Sequence, residues 1–234
     1  MSDHNSAEAG RRAPQPFFAN LRNMVETHNE LGFNALPEEL MEVPAEPGSL
    51  ILSSPLPRDW SVMLPRAVAL ILEPGTQDHG PKSLLLQRFS EESALEYVPQ
   101  YEKVLSKPKA VFKGGDKQDG QLRAIARTTA DSDVDTLPGC TRLANRLALV
   151  DVHRDEDEVL PFIEEMRVFS GYMQWAPGVL EEGVAAGEFF LAPALPQDIF
   201  RPIYFDLWAE VMRRQGVTFA TFSTFPADIK VYDN

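Results

Sequence analysis

Arg167 to Phe190, RVFSGYMQWAPGVLEEGVAAGEFF, constrains this chain of 234 residues more tightly than any other stretch. Two β-formers, Val168 and Phe169, run into Gly171, where a bend or a close backbone approach is expected. Tyr172 and Trp175 follow, each an apolar body with a polar tip that wants a partner when buried. Pro177 suits the first turn of a helix, where its missing N–H is not needed. Val179, Leu180 and Val184 make one apolar stripe with Glu181 and Glu182 facing out, which predicts a helix over 178–186. Gly187 stops that helix, and Phe189 and Phe190 restart an extended run. The expected order is strand, tight turn, aromatic landing, helix, glycine stop, strand. Its first role is architectural.

Around this stretch, buried strands are expected at 49–54 (SLILSS), 66–73 (RAVALILE) and 82–89 (KSLLLQRF), the last two as an antiparallel pair across a short Pro-Gly loop. Further strands are expected at 110–115, 121–128 and 143–149. Helical patterns fall at 157–166 and between Pro202 and Gln215. In the latter, Ile203, Tyr204, Leu207, Trp208, Val211 and Met212 share a face, with Arg213 and Arg214 at the negative dipole end. Thr218–Phe222 reads as a last strand. Strands come first and helices late, which gives an α+β class. The expected domain is a single compact unit, 48–234, with a mainly antiparallel or mixed sheet flanked by helices. Ahead of it, 1–16 reads as a disordered tail and 17–47 as an appended helix followed by a Pro-rich connector.

The 35 acidic residues outweigh 22 basic ones, giving a net charge of −13, and no Lys/Arg-rich run stands out. Such a field opposes binding to phosphate backbones and anionic membranes, so neither a nucleic-acid nor a membrane partner is expected. The longest aliphatic run, Ala67–Leu72, is far too short to span a bilayer, and the first residues lack the apolar core of a secretory signal. Cys140 is the only cysteine, which excludes an intrachain disulfide and fits a reducing compartment. The expectation is a cytoplasmic protein.

Several chemical motifs are imitated and then broken. Gly115 and Gly120 have the spacing of a phosphate loop, but Gln121 and Leu122 stand where lysine and serine or threonine are required. Asp131, Asp133 and Asp135 open like a calcium loop, but Thr136 replaces its bend glycine and Arg142 its bidentate glutamate. His4, His28, His79 and His153 have no metal-ligand spacing, and one cysteine cannot complete a zinc set. No metal and no cofactor are therefore expected. Ser170 lacks the preceding glycine of a nucleophile elbow, and a Cys140–His153 pair has no supporting local signature. No catalytic residue is assigned, and Trp60, Trp175 and Trp208 are read first as core residues, with the lining of a pocket as the alternative.

The stretch that opened this reading resembles the strand-Gly-Tyr-x-x-Trp element and acidic helix of the AlgH/YqgE family, in its longer, actinobacterial type. LWAEVMRRQG at 207–216 is similar to that family's terminal helix, PGSLILSSP to its opening strand and VFKGG to its Gly-Gly element. The chain departs from the pattern at Val179, where glutamine is usual, at Asp116, where proline is usual, and at 87–89. The resemblance implies a compact α+β domain in bacterial cytoplasm, with no established activity and no agreed cofactor. Nothing here resembles a helix-turn-helix with a basic recognition helix.

Two functions stay open. The first is a non-catalytic binding or regulatory protein that presents Gly171, Tyr172 and Trp175, with the Gly114–Gly115 turn, to an unknown protein or small-molecule partner. The second is an enzyme acting on a small, nucleotide-like metabolite in a pocket at the same place. That one requires convergent titratable groups with shifted pKa values.

Overall fold

Ser49–Ser53 (β1) and Val68–Glu73 (β2) are apolar almost without interruption, because both faces of these strands are covered. Ile51, Ala69 and Ile71 point to one face, where they pack with Trp175, Leu180 and Phe189. Leu50, Leu52 and Leu70 alternate to the other face and are equally buried. The computed structural model describes residues 43–55 and 63–225. The expected tail, the helix at 17–31, Trp60 and the segment after Phe225 lie outside the described residues.

The other strands are Lys82–Leu85 (β3), Phe89–Ser93 (β4), Ala110–Lys113 (β5), Lys117–Thr128 (β6), Cys140–Ala144 (β7), Leu147–Val150 (β8), Ile163–Gln174 (β9) and Phe189–Pro193 (β10). Helices are Glu156–Val159 (α1), Val179–Ala185 (α2), Pro196–Phe200 (α3), Leu207–Arg213 (α4) and Val217–Phe222 (α5). The strands join in the order β10-β1-β2-β3-β9-β6-β8-β7. Off this path, β5 pairs parallel to β9 and antiparallel to β4. The protein is thus α+β, with a mixed, mainly antiparallel sheet, and the described residues all fall in one compact unit. A second core lies under the β6–β8 half, where Tyr101, Val111, Ala124, Val150, Met166 and Val168 are buried together.

The organising stretch folds largely as expected. Strand β9 leads through a turn to α2, Gly187 ends the helix in a left-handed conformation at φ +70, and β10 follows. Elsewhere the structure corrects the sequence reading. The run at 143–149 is a hairpin of β7 and β8, turned at Arg146 with φ +59, and its apolar residues hid the turn. The pattern at 157–166 is helical only to Val159. Pro161 falls in a 3-10 turn and Ile163 already begins β9. The strand expected over 82–89 stops at Leu85, and a separate one starts at Phe89.

The long helix from Pro202 starts only at Leu207, because Asp206 caps it by accepting from the Ala209 N–H at 3.0 Å. Ile203 and Tyr204, assigned to its apolar face, are 43% and 87% exposed. Thr218–Phe222 belongs to a helix rather than a strand. Phe219 there meets Phe190 of β10 edge-on at 5.2 Å, so tertiary packing overrides its β-favouring composition. Helix α3 was unforeseen, although Pro196 at its start and Asp198 accepting from the Leu195 N–H at 2.8 Å are ordinary initiation signals.

Candidate functional site

Gly171 lies where β9 changes partners. Up to Ser170 it runs parallel to β5, and from Met173 it is antiparallel to β3. Two half-sheets are joined at this point, and the backbone of Gly114 ties them: its N–H donates to the Ser170 carbonyl at 2.8 Å and its carbonyl accepts from Leu85 at 2.9 Å. The strands come too close for side chains. A Cβ on Gly171 would stand 2.7 Å from the Gly115 oxygen, and one on Gly115 would stand 2.1 Å from the Tyr172 carbonyl carbon. Gly171 also takes φ +68, a left-handed bulge conformation that favours glycine.

The opposite edge of β9 bulges as well. Lys117 pairs with Tyr172 and Leu122 with Ser170, so four residues of β6 loop out across from Gly171. Ser170 pins that loop: its Oγ donates to Asp119 at 2.8 Å and accepts from the Gly120 N–H at 2.8 Å. The Ser170 hydroxyl, and then Lys113, hold the Asp119 carboxyl below its ordinary pKa. The Tyr172 ring has cations near it, with Arg123 Cζ at 4.5 Å and Lys82 Nζ at 5.6 Å from its centroid.

Of the five residues singled out in the sequence, Gly114, Gly115, Gly171 and Tyr172 meet at this joint. Trp175 stands apart, 3% exposed against Phe189, with its Nε1 donating to Ser83 Oγ at 2.9 Å. Tyr172 is itself only 9% exposed, so the joint reaches the surface through its neighbours Gly120 and Arg123. Those two residues line a groove of about 740 Å³ between the start of β6 and the outer hairpin of β7 and β8. Leu122, Leu149, Val150 and Val152 supply its apolar surface, and Thr141, Asp151 and His153 its polar groups. That volume is in the usual range for small-molecule sites.

Sequence reasoning missed this groove, since its walls come from strands far apart in the chain. The acidic loop that mimicked a calcium site is settled by charge. Arg142 donates to Asp133 at 2.5 Å and to Asp135 at 2.9 Å, filling the role a cation would have. Cys140 is half-buried, and burial raises its thiol pKa, which keeps it protonated and a poor nucleophile. Among the described residues no cluster of three His, Cys, Asp or Glu side chains is disposed to hold a metal, and no helix is long and apolar enough to cross a membrane.

Comparison with known proteins places this architecture. The AlgH-like family model matches residues 52–220. A UPF0301 protein of Corynebacterium efficiens is 35% identical over 198 residues, covering 84% of this chain and 94% of that one. Another from Corynebacterium glutamicum is 34% identical over 187 residues, with 78% and 94% covered. The crystal structure of a Corynebacterium diphtheriae protein superposes with a TM-score of 0.70 at 32% identity, covering 77% of this chain and 92% of that one. The solution structure of AlgH from Pseudomonas aeruginosa shares the fold, with a TM-score of 0.53 at 17% identity over 77% of this chain and 94% of that one. The chain, with its glycine-bridged sheet, belongs to the AlgH-like family of bacterial proteins.

Proposed function

We propose that this is a non-catalytic binding or regulatory protein whose ligand or protein partner occupies the groove beside the glycine joint. The observation that carries this reading is the groove itself: about 740 Å³, with an apolar lining and a few polar groups at its edges. In this reading Gly114, Gly115, Gly171 and Tyr172 form the rigid backing of the site, and Arg123 and Gly120 are the points at which that backing meets the ligand. Trp175 anchors the far side of the joint. Among the groove-lining residues Tyr97 alone has a displaced pKa, raised first by its hydrogen bond to Glu92 at the exposed rim. The groups displaced chiefly by burial, Arg66, Tyr101, Cys140, Glu165 and Arg167, lie outside the lining, so no converging pair of shifted groups supports acid–base chemistry there.

The test is a thermal-shift screen of the full chain against metabolites and short peptides, each hit then incubated and checked for conversion. A ligand that binds the native state raises the midpoint. Hits recovered unchanged support a binding protein. Conversion of a nucleotide-like hit would replace this reading with an enzyme, and a screen without hits would count against the groove as a small-ligand site.

A further inference from the structure

Arg167 sits inside β9 in an otherwise apolar run and is 3% exposed. Its hydrogen bonds all go to neutral groups. Nε donates to Ser106 Oγ at 3.1 Å, and Nη2 donates to the carbonyls of Lys107 at 3.2 Å and Arg201 at 3.1 Å. Its Cζ lies 4.2 Å from the centre of the Phe112 ring. Among the described residues Nη1 has no hydrogen-bond partner and no carboxylate pairs with this guanidinium. Glu165, two residues away, is taken by Arg127 at 3.0 Å. Buried arginines are ordinarily paired, and burial pulls this one down to about 10, with Glu165 offsetting only part of the effect.

Arg167 lines a cavity with Phe112, Arg201, Ile203 and Phe205, and its room of about 10 Å³ suits a single water-sized occupant. Arg201 lines the cavity too: its carbonyl accepts from Arg167, its Nε is buried without a hydrogen-bond partner among the described residues, and its guanidinium lies 4.5 Å from the Phe205 ring centre with Nη2 3.7 Å from Glu210. Asp198 also lines the cavity, but its two oxygens are held by Arg214 at 2.7 and 2.6 Å and it accepts from the Leu195 N–H as well.

We propose that Arg167 and Arg201 form a binding site for one halide-sized monovalent anion, chloride in the cell, beneath the turn from Arg201 to Asp206. An anion there supplies both the missing charge and an acceptor for the unused donors, and charge-assisted hydrogen bonds are the strong kind. The anion also fastens the turn that carries the exposed Ile203 and Tyr204.

Bromide substitutes for chloride and is located by anomalous scattering. Crystals of the full chain grown without chloride and soaked in bromide should show bromide within hydrogen-bonding reach of Arg167 and Arg201. The melting midpoint should be higher in chloride than in gluconate at equal ionic strength. Arg167→Met keeps the apolar stem over Phe112 and removes the charge, so both signals should vanish. Should that variant fail to fold, Arg201→Gln, at a partly exposed position, carries the same test through a reduced chloride-dependent shift. Bromide found only at surface side chains, or an equal chloride effect in wild type and variants, overturns the proposal.

Discussion

Trp175 is nearly sealed from solvent, donates its indole N–H to Ser83 and meets Phe189 edge-on with ring centres 5.0 Å apart. Truncation to alanine removes the ring and leaves a cavity, so Trp175→Ala should destabilise the protein by roughly 3–5 kcal/mol in denaturant unfolding. Trp175→Phe keeps most of the apolar volume but strands the Ser83 hydroxyl, and a loss of about 1–3 kcal/mol is expected. Gly171 is constrained in a different way. At φ +68 with the Gly115 oxygen 2.7 Å from any added Cβ, Gly171→Ala combines backbone strain with a backbone clash that no rotamer relieves. It should unfold at lower denaturant than wild type, whereas Gly120→Ala, with open space around the added carbon, should suffer only the strain of its φ of +91. Cys140 offers a chemical check at the same scale. Its raised pKa leaves less thiolate at any pH below that value, so alkylation at pH 8 should be slower than for a peptide thiol and should accelerate as pH rises.

Elements were legible where one local rule decided them. The apolar runs at β1 and β2, the Gly187 stop of α2 and the resemblance of Arg167–Phe190 to a known family all pointed the right way. The pattern failed where a cap or a neighbour decided. Asp206 delays α4 by one turn relative to the periodic pattern, and Phe190 recruits Phe219 into a helix. Arg214 was read as a dipole-compensating residue, yet it grips Asp198, 1% exposed, through both carboxylate oxygens. Asp198 is buried but Arg214 is 23% exposed, so Asp198→Ala removes charge-assisted hydrogen bonds while leaving a guanidinium that water can reach, and should cost about 1.5–3 kcal/mol. A smaller loss, of about 1 kcal/mol or less, would mean that water replaces those bonds in full. The candidate site was half legible for the same reason. Gly114, Gly115 and Gly171 are visible as glycines, but their meeting depends on β9 switching from β5 to β3, which no local pattern encodes. Arg167, set between Met166 and Val168 at the buried centre of β9, was an overlooked sequence signal that pointed to something other than packing.

At the scale of the molecule, charge and shape make separate predictions. A net charge of −13 opposes polyanions, so random duplex DNA should bind negligibly at physiological salt; a micromolar, steeply salt-dependent affinity in a titration would contradict this. Shape concerns the groove between β6 and the β7–β8 hairpin, beside the joint that holds the two half-sheets together. Thr141 is exposed on the edge strand and faces Leu149 across it, so Thr141→Trp fills the groove without entering the core. The direct measurement is amide NMR of wild type and Thr141→Trp titrated with a fragment library. A groove built for binding shows fragment-induced shifts at Leu122, Thr141, Val150 and His153 in the wild type, and these disappear in the variant while its fold is retained. Shifts gathered elsewhere on the protein, or unchanged in the filled variant, would contradict it.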